Sequence, residues 1–446
     1  MAILSEDDCR ALMKKALSYS KADECEININ GADTANIRYA RNSVSTSGSI
    51  SQTSMAISSA FGKKLGIVTT NEYDDASLEK AVKLSEELAR LAPENPEYMP
   101  FLGPQTYSER NPKLFDKKTY EMTPKQRTDM VGQSLQVAKD NKLTAAGFLQ
   151  SQGNFNALMN SHGLFAYNAA SDISFSITMR TQDSLGSGYA IKDYEDFNDM
   201  DTLKLSTVAA KKAASSIGVK AIEPGKYTVI LEPAAGIVLL EQLYGGLDAR
   251  SADEGRSFLS KAGGGTKLGE KMVDERVNIY SDPLDPRLPN SVWAGDGQPL
   301  KKINWIEKGV IKNLFYSRYW AEKKGVKPIP YSGPVIMDGG DASLEDLIKG
   351  TEKGILVTRL WYIRPVDPQT LLYTGLTRDG TFYIENGQIK FPIKNFRFNE
   401  SPVIMLNNLE ALGKSERTVS DESNQSCLIP PMKIKEFTFT SLSDAV

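Results

Sequence analysis

The first ninety residues change from a helical pattern to a strand pattern and back again. Ser5, with Asp8 three positions on, has the form of a capping box and precedes a helical apolar stripe. That stripe comprises Cys9, Leu12, Met13, Ala16 and Leu17. Apolar and polar residues then alternate over 24–70, which predicts an antiparallel meander with breaks near Gly31 and Gly62. A second helix is predicted over 77–92, with Leu78, Ala81, Val82, Leu88 and Leu91 facing inward.

The same order of elements returns after a proline-rich stretch. The stretch contains Pro93, Pro96, Pro100, Pro104 and Pro112. So many prolines exclude regular structure, and they predict a linker or extended surface segment over 93–119. Thr123, a proline and Gln126 then form a second capping box, which predicts a helix to about Asp140. Strands are predicted over 144–191 and a closing helix over 202–217, so residues 1–92 and 120–222 form two α+β domains, with duplication of one unit as a hypothesis.

The remainder, residues 223–446, is predicted to be a β-rich C-terminal domain. It starts with a strand over 227–231 and a helix over 234–244. Two hairpin patterns follow at 306–311 and 384–389, the second containing the Asn-Gly pair of type I′ turns. Ser343 and Asp346 cap a short helix that ends at Gly350. The predicted fold class is therefore α+β, with helix–meander–helix units followed by one large barrel-like or sandwiched sheet.

Composition narrows the class of protein without identifying a reaction. Hydrophobic residues make up 40% and charged residues 24% of the 446 residues, which is ordinary for a soluble globular protein. The net charge of −3 comes without a basic stripe, so no nucleic-acid partner is expected. No apolar run is long enough to cross a bilayer, so no membrane partner is expected either. Three unclustered cysteines (Cys9, Cys25 and Cys427) favour reduced thiols in a cytoplasmic protein.

The chain has few groups that could carry out catalysis. Its one histidine, His162, lies between an asparagine–serine pair and a glycine, a pattern typical of a β-turn. A lone imidazole builds no catalytic relay. Asp248, Asp253 and Glu254 offer oxygens to a hard cation, but their run after a helix is more typical of a solvated loop.

The order of motifs in the C-terminal region resembles the TldD/PmbA family, which carries the historical label "modulator of DNA gyrase". The motifs are Leu231-Glu-Pro, Val238-Leu-Leu-Glu-Gln-Leu-Tyr-Gly-Gly-Leu, Gly297-Gln-Pro-Leu, Ile306-Glu-Lys-Gly-Val-Ile and Tyr383-Ile-Glu-Asn-Gly-Gln-Ile. The resemblance covers essentially the whole chain. It implies a heterodimeric metallopeptidase of two homologous subunits that degrades unfolded peptides and trims peptide precursors. One subunit holds zinc through a His-Glu-x-x-x-His helix and a C-terminal cysteine, and the other, the PmbA or TldE type, lacks those ligands.

This sequence departs from the zinc-binding pattern at each helix position. The resemblance puts the first ligand on Glu241, the catalytic glutamate on Gln242 and the second ligand on Gly246. Gln242 cannot act as a base, and Gly246 has no side chain. Cys427 lies where the third ligand falls, but its spacing to Pro431 fits the cysteine of the zinc-free subunit better. We therefore expect no cofactor in this chain, with zinc only in a partner subunit, although another cation beside Glu241 remains an alternative.

The main functional hypothesis is a PmbA/TldE-type subunit, inactive alone, that pairs with a TldD-like zinc-bearing subunit. An extended peptide substrate would lie against an exposed sheet edge in the C-terminal region. Arg378 and Asp379 are candidate residues of that groove, although Asp379-Gly380 is also typical of a turn at a strand end. The alternatives are a homodimeric peptide-binding scaffold and hydrolysis by a different mechanism that uses Glu241 and nearby acids.

Overall fold

The computed structural model describes residues 3–443. The N-terminal part contains α1 (Glu6–Leu17), β1 (Glu24–Ala40), β2 (Ser43–Phe61), β3 (Lys64–Thr70) and α2 (Asp75–Leu91). The capping box of Ser5 and Asp8 is present, and Cys9, Met13 and Ala16 of α1 are buried. The predicted helix–meander–helix order is thus confirmed for this part of the chain.

Two details of the N-terminal prediction are wrong. β1 runs through Gly31 without a break, because Gly31 provides space for a packed ring. A Cβ at Gly31 would lie 2.5 Å from Cε1 of Phe155 on a neighbouring strand. Leu88 and Leu91 of α2 are exposed, because only the face with Leu78, Ala81 and Val82 meets the sheet.

The proline-rich segment forms a strap between the N-terminal sheet and the C-terminal region. Apart from a short 3-10 helix (Pro112–Leu114) and α3 (Lys117–Tyr120), it is irregular. Its contacts are hydrogen bonds or ion pairs that join Glu97 to Arg250, Pro100 to Arg318, Tyr107 to Gly297 and Asn111 to Leu284. On the other side, the Tyr98 hydroxyl donates to Glu24 of β1 at 2.6 Å. The segment is therefore bound to the C-terminal region on one side and to the N-terminal sheet on the other.

The second meander joins the first in one sheet. Its elements are α4 (Pro124–Asp140), β4 (Thr144–Asn160), β5 (Phe165–Arg180), β6 (Ser187–Tyr194) and α5 (Thr202–Ser215), with the predicted capping box at Thr123 and Gln126. The sheet has the order β3-β2-β1-β4-β5-β6, and β1 pairs with β4 antiparallel from Glu26↔Asn160 to Tyr39↔Gly147. The boundaries proposed for two separate N-terminal domains, 1–92 and 120–222, stay a prediction.

One face of this sheet is apolar and covered by helices. Ile27, Ile29 and Ile37 of β1 alternate toward α1, α2, α4 and α5 and are buried in two apolar clusters. The intervening positions, such as Asn28, Asn30 and Asn36, are polar and lie on the opposite face. On that opposite face, Leu158 packs against Val292 and Trp293 of the C-terminal region.

The C-terminal region contains the remaining elements. In chain order they are β7 (Gly225–Leu231), α6 (Pro233–Gly245), α7 (Ala249–Asp253), β8 (Ile279–Ser281), β9 (Ile303–Glu307), β10 (Val310–Ile311), α8 (Arg318–Lys324), β11 (Ile336–Met337), α9 (Leu344–Lys349), β12 (Lys353–Asp367), β13 (Leu372–Glu385), β14 (Gln388–Pro392), β15 (Asn395–Glu400), α10 (Pro402–Asn407), β16 (Leu409–Leu412), β17 (Glu416–Val419), β18 (Ser426–Ile429) and β19 (Met432–Ser443). A short-stranded sheet has the order β10-β9-β8-β11-β18-β17.

The other C-terminal sheet closes on itself. β12 pairs with β7, β7 with β19, β19 with β15, β15 with β13, and β13 again with β12. Only the β12–β7 pair is parallel. Closure removes the free edges of these strands. Of the two predicted forms, a barrel-like and a sandwiched sheet, the barrel-like one is observed. Phe396, Phe398, Phe437 and Phe439 are fully buried in its core.

Both predicted hairpins are present, and one predicted turn is wrong. Asn386 and Gly387 connect β13 to β14 with positive φ of 50° and 71°, as a type I′ turn requires. Asp379 and Gly380 do not end a strand. They form a bulge inside β13, where both residues oppose the single residue Thr358 of β12.

In the part of the chain that the structure describes, no helix is long and apolar enough to cross a membrane.

Candidate functional site

The helix α6 is buried on almost every side. Ala235, Gly236, Ile237, Val238, Leu239, Leu240, Leu243 and Tyr244 are all buried. A Cβ at Gly236 would lie 2.4 Å from the Cε methyl of Met432, which shows how closely α6 packs on β19. Glu241 is the only charged residue of α6, so its environment decides what this helix can do chemically.

The Glu241 carboxylate is held by hydroxyl groups from the loop between β17 and β18. The Ser423 hydroxyl donates to Oε2 of Glu241 at 2.8 Å. Burial raises the pKa of Glu241, and the neighbouring acids Glu422 and Asp421 add to this rise. Hydrogen bonds from Ser420 and Ser423 oppose it without cancelling it. This carboxylate is therefore a hydrogen-bond acceptor, and no lysine or arginine among residues 3–443 forms an ion pair with it.

The other two zinc-helix positions cannot contribute a ligand. Gln242 has a neutral amide, which takes no proton from water at neutral pH. Gly246 caps the C-terminus of α6, and Phe258 occupies the space beside it. A Cβ at Gly246 would lie 2.8 Å from Cε1 of Phe258 and 3.3 Å from the carbonyl oxygen of Gln242. A histidine there would have to displace a buried ring.

The Cys427 thiol lies in the same part of the fold. It is 1% exposed on β18, and its Sγ is 3.8 Å from the carbonyl oxygen of Gln425. Burial raises the pKa of Cys427 to about 12, and the charge of Glu241 contributes to that rise. A thiol that stays protonated is a poor metal ligand and a poor nucleophile.

Three aromatic rings surround Tyr244 near the C-terminal end of α6. Tyr244 of α6 lies 5.5 Å from Trp305, 5.2 Å from Phe315 and 5.0 Å from Tyr331, measured between ring centroids. Burial raises the pKa of Tyr331 to about 12, and the charges of Cys427 and Glu241 act in the same direction. These hydroxyls are therefore donors at neutral pH.

The residues present do not fit a zinc ion. Only Glu241 and Cys427 remain at the positions where ligands are expected, and Cys427 is a buried thiol. Among residues 3–443, no group of three His, Cys, Asp or Glu side chains is placed to hold a metal. No catalytic step through zinc can be derived for this chain.

The two candidate groove residues belong to a buried ionic cluster on the barrel. Asp379 is 1% exposed, and its Oδ2 lies 2.9 Å from Nη1 of Arg359 and 3.7 Å from Nε of Arg378. Arg359 also lies 2.6 Å from Asp421, which accepts a 2.6 Å hydrogen bond from the Tyr189 hydroxyl of β6. Arg378 is stacked 4.1 Å over Trp361. Both candidates thus have structural partners, and their role in peptide binding stays a prediction.

The β17–β18 loop connects this ionic cluster to the Glu241 site. Asp421 binds Arg359, Glu422 accepts from the backbone of Ile363 at 3.4 Å, and Ser423 binds Glu241. The pattern of the sequence did not predict Arg359, Asp421 and Tyr189 as members of this cluster. They come from three distant segments, and no local spacing relates them.

The remaining candidates have ordinary structural roles. His162 lies in the predicted turn, with Nδ1 3.0 Å from the carbonyl oxygen of Phe101. Asp248 caps α7, and Asp253 accepts from Trp320 at 2.8 Å. Glu254 is paired with Arg250 at 3.0 Å and with Arg256. These acids accept from N–H groups or pair with cationic side chains of the chain itself.

This combination of a helix-covered meander and a closed barrel matches a class of metallopeptidase folds. The family models for the PmbA/TldA metallopeptidase C-terminal and central domains match residues 224–441 and 118–217. The chain belongs to the PmbA/TldD family.

Individual relatives agree with this assignment. A protein of Methanocaldococcus jannaschii is 25% identical over 79% of this chain and 83% of its own. The metalloprotease PmbA of Escherichia coli O157:H7 is 22% identical over 70% of each chain. Among solved structures, TldE from Thermococcus kodakarensis has a TM-score of 0.86 and 20% identity, covering 97% of this chain and 99% of its own. The likeness to this solved structure establishes the fold.

Proposed function

We propose that this chain is a PmbA/TldE-type subunit without a metal site, and that it assembles with a homologous zinc-bearing subunit into a peptidase for unfolded peptides. The partner would supply the metal and the catalytic water. This chain would complete the substrate chamber and stabilise its partner. The observation that carries the proposal is α6, which has Glu241, Gln242 and Gly246 at the positions where the family resemblance puts the zinc ligands and the catalytic glutamate.

The packing around α6 supports a structural role for the helix. Gly236 lets it pack tightly on β19, and Phe258 fills the space beside Gly246. Glu241 accepts a hydrogen bond from Ser423 and so binds the β17–β18 loop to α6. An active metal helix needs open space in front of its ligands, whereas at the Gly246 position of this helix a buried ring takes that space.

The names of the relatives point to the partner. A zinc metalloprotease TldD homolog of Saccharolobus solfataricus is 25% identical over 43% of this chain and 44% of its own. TldE is the name of the solved structure from Thermococcus kodakarensis. Subunits with one fold associate through related surfaces, and this supports a TldD-like chain as the partner.

An extended peptide would bind by main-chain pairing at a sheet edge, which gives weak sequence preference. The closed ring of the barrel offers no edge, so in the C-terminal region this role would fall to β14, β10 or β17. Arg378 and Asp379 lie on β13 between its pairing with β15 and its pairing with β14, and remain the candidate groove residues, with Asp379 acting through Arg359 and Arg378.

The test is a native pull-down with a tagged copy, followed by zinc analysis of what co-purifies. We expect a homologous zinc-loaded chain to co-purify with the tagged chain in a one-to-one molar ratio. Glu241→Ala is the matched variant, and it should still recover the zinc-loaded partner because Glu241 holds no metal. Recovery of this chain alone and free of zinc would contradict the proposal and favour the homodimeric scaffold. Chelator-resistant peptidase activity that Glu241→Ala abolishes would instead indicate hydrolysis by the acids of this chain.

A further inference from the structure

An open polar cavity lies on the face of the N-terminal sheet that the helices leave uncovered. Its volume of about 710 Å³ is within the range of about 300–1,000 Å³ that ligand pockets occupy. The lining comes from residues 30–32, 52–54, 69–71 and 154–156, so the α6 site does not account for this cavity. Among the described residues, none that lines the cavity is charged, in a chain of which 24% is charged.

Cross-strand pairing arranges six residues of the cavity in two rows. Each row takes one residue from β2, one from β1 and one from β4, in the order Ser54–Asn30–Asn156 and Gln52–Ala32–Asn154. The two residues of each strand are two positions apart, so all six side chains stand on one face of the sheet. The cavity is therefore a trough, which we call the amide trough. Its floor is β1, and its two walls are side chains of β2 and β4.

The amide trough has the dimensions of an extended polypeptide. Its walls are two strand spacings apart, about 9.6 Å, so a chain that runs above β1 lies one spacing of about 4.8 Å from each wall. Along each wall the side chains repeat every two residues, at about 6.6 Å. The peptide groups on one edge of an extended chain have the same repeat. Ala32, with its small side chain, leaves room for such a chain above the floor.

The carboxamides of the amide trough have their hydrogen-bonding groups available. Within residues 3–443, the four carboxamides make no hydrogen bond to the protein. Further along the same face of β4 the amides are already engaged, since Gln150 donates to Gln152 at 3.3 Å and Gln152 to Asp172 at 2.6 Å. Each carboxamide of the trough can therefore offer both its donor and its acceptor to a ligand.

This chemistry matches the main chain of a polypeptide. A carboxamide has the N–H donors and the C=O acceptor of a peptide group, so it can bind the N–H and the C=O of one residue together. A nucleic acid would require cationic side chains, and the described lining has none. A saccharide packs its apolar ring face on an exposed aromatic side chain, whereas the aromatic residue of the lining, Phe155, is only 2% exposed.

We propose that the amide trough binds an extended polypeptide segment above β1. The carboxamides of Gln52 on one wall and of Asn154 and Asn156 on the other hold the two edges of its main chain, and Asn30 contacts it from the floor. Recognition depends on the main chain and not on the sequence of the segment. The inference deepens the proposed function and rests on it for the identity of the segment, an unfolded peptide on its way to the metal of the partner subunit.

The test measures fluorescence anisotropy of the purified chain with a fluorescein-labelled ten-residue peptide of alternating serine and alanine. We expect saturable binding. Gln52→Ala and Asn154→Ala, one from each wall, should each weaken it about fivefold, the change that corresponds to about 1 kcal/mol for a lost hydrogen bond. Asn36→Ala is the matched control, since Asn36 stands on the same face of β1 outside the trough, and it should leave the affinity unchanged.

Two further ligands identify the group that is recognised. A ten-residue peptide of alternating threonine and glutamine should bind with similar affinity, because its main chain is the same. The serine–alanine peptide N-methylated at every residue should not bind, because it has lost its N–H donors. Maltoheptaose, an uncharged oligosaccharide, should not displace the labelled peptide.

Four results would overturn the inference. These are no saturable binding by the wild-type chain, unchanged affinity in either wall variant, equal binding of the N-methylated peptide, and displacement of the peptide by maltoheptaose, which would assign the trough to saccharides.

The binding test also separates this inference from the proposed function, because it needs no partner subunit. Peptide binding by a chain that recovers no zinc-loaded partner would leave this inference standing while the proposed function fails. A chain that recovers the zinc-loaded partner but binds no peptide would give the reverse outcome.

Discussion

Two acidic sites of this protein, one on β6 and one on α6, use different partners. Asp193 and Glu195 of the β6 region are bound by all three guanidinium nitrogens of Arg417, at distances of 2.7–3.1 Å. Glu241 of α6 has only hydroxyl partners, and burial raises its pKa. The ion pairs of Arg417 join two sheets, whereas the Glu241 carboxylate joins α6 to the β17–β18 loop through a hydroxyl group.

The two sites differ in how much stability the protein should lose when their charged side chains are replaced. A buried charge costs stability unless it is paired, so a paired cluster is under strong constraint. A half-buried carboxylate with hydroxyl partners can be lost at small cost. We therefore expect a substitution of Arg417 to cost more stability than a substitution of Glu241.

Replacing Arg417 should have the largest effect. Arg417→Met leaves Asp193 and Glu195 without a counter-charge between β6 and β17. We expect the free energy of unfolding in urea to fall by about 3–5 kcal/mol. The control Arg397→Met removes an exposed arginine of β15 and should change it by less than about 1 kcal/mol. Equal losses in the two variants would show that the Arg417 cluster does not hold the sheets together.

Asp172 sharpens the comparison because it lies near Arg417 but is held by an amide. Burial raises the pKa of Asp172 to about 6, and the charges of Asp193 and Glu195 contribute, against Arg417 and Gln152. An acid with a raised folded pKa contributes stability that is complete below its unfolded pKa near 3.8 and is lost as the pH rises through about 6.

Asp172→Asn removes the ionisable carboxyl group, and with it the loss of stability that occurs in the wild-type chain as Asp172 ionises. The stability of the variant relative to the wild-type chain should rise between pH 4 and pH 7, by at most about 3 kcal/mol. Urea unfolding at four pH values in this range measures the difference. Ser174→Ala, at the next position of the same face of β5, should follow the wild-type curve. A constant difference across the range would contradict the assigned burial of Asp172.

Restoring a zinc ligand on α6 tests whether the site is closed. Gly246→His brings a side chain against Phe258, and overpacking of this kind costs about 1–3 kcal/mol. We expect a lower Tm that zinc does not restore, measured by thermal unfolding with and without the metal. Gly245→His is the control, because a Cβ there meets nothing within 4 Å. A zinc-dependent rise in the Tm of Gly246→His would show that the site still accepts metal.

Glu241→Gln should have the smallest effect of the set. The raised pKa of Glu241 means that its ionised form is disfavoured in the folded chain. The stability that the protonated carboxyl contributes is therefore lost as the pH rises through that raised pKa. The variant should match the wild-type chain at low pH and equal or slightly exceed its stability at pH 8, in the same urea assay. A clear loss at pH 8 would indicate a bound cation that the carboxylate normally serves.

Local signals allowed much of the fold to be predicted from the sequence. The capping boxes at Thr123 and Ser343 placed helix starts correctly, and Asn386-Gly387 placed a hairpin. The register of the sheets could not be predicted in this way. Arg417 and Asp193 are separated by 224 positions, and closure of the barrel depends on pairing between β12 and β7.

The candidate site was predictable only through resemblance. Glu241, Gln242 and Gly246 have no distinctive spacing of their own, and their meaning came from the family pattern. The turn assigned to Asp379-Gly380 was wrong because a bulge and a turn share the same positive φ at both residues. The cavity at Asn30 and Asn156 depends on cross-strand pairing, which the alternation of residues does not specify.

The most direct test of the central claim is the zinc content of the native complex, measured by native mass spectrometry. We expect a heterodimer with a single zinc ion that stays with the partner when the two chains are separated in the gas phase. Two zinc ions per heterodimer, or zinc retained by this chain, would contradict the account of α6 as a helix that has lost its metal.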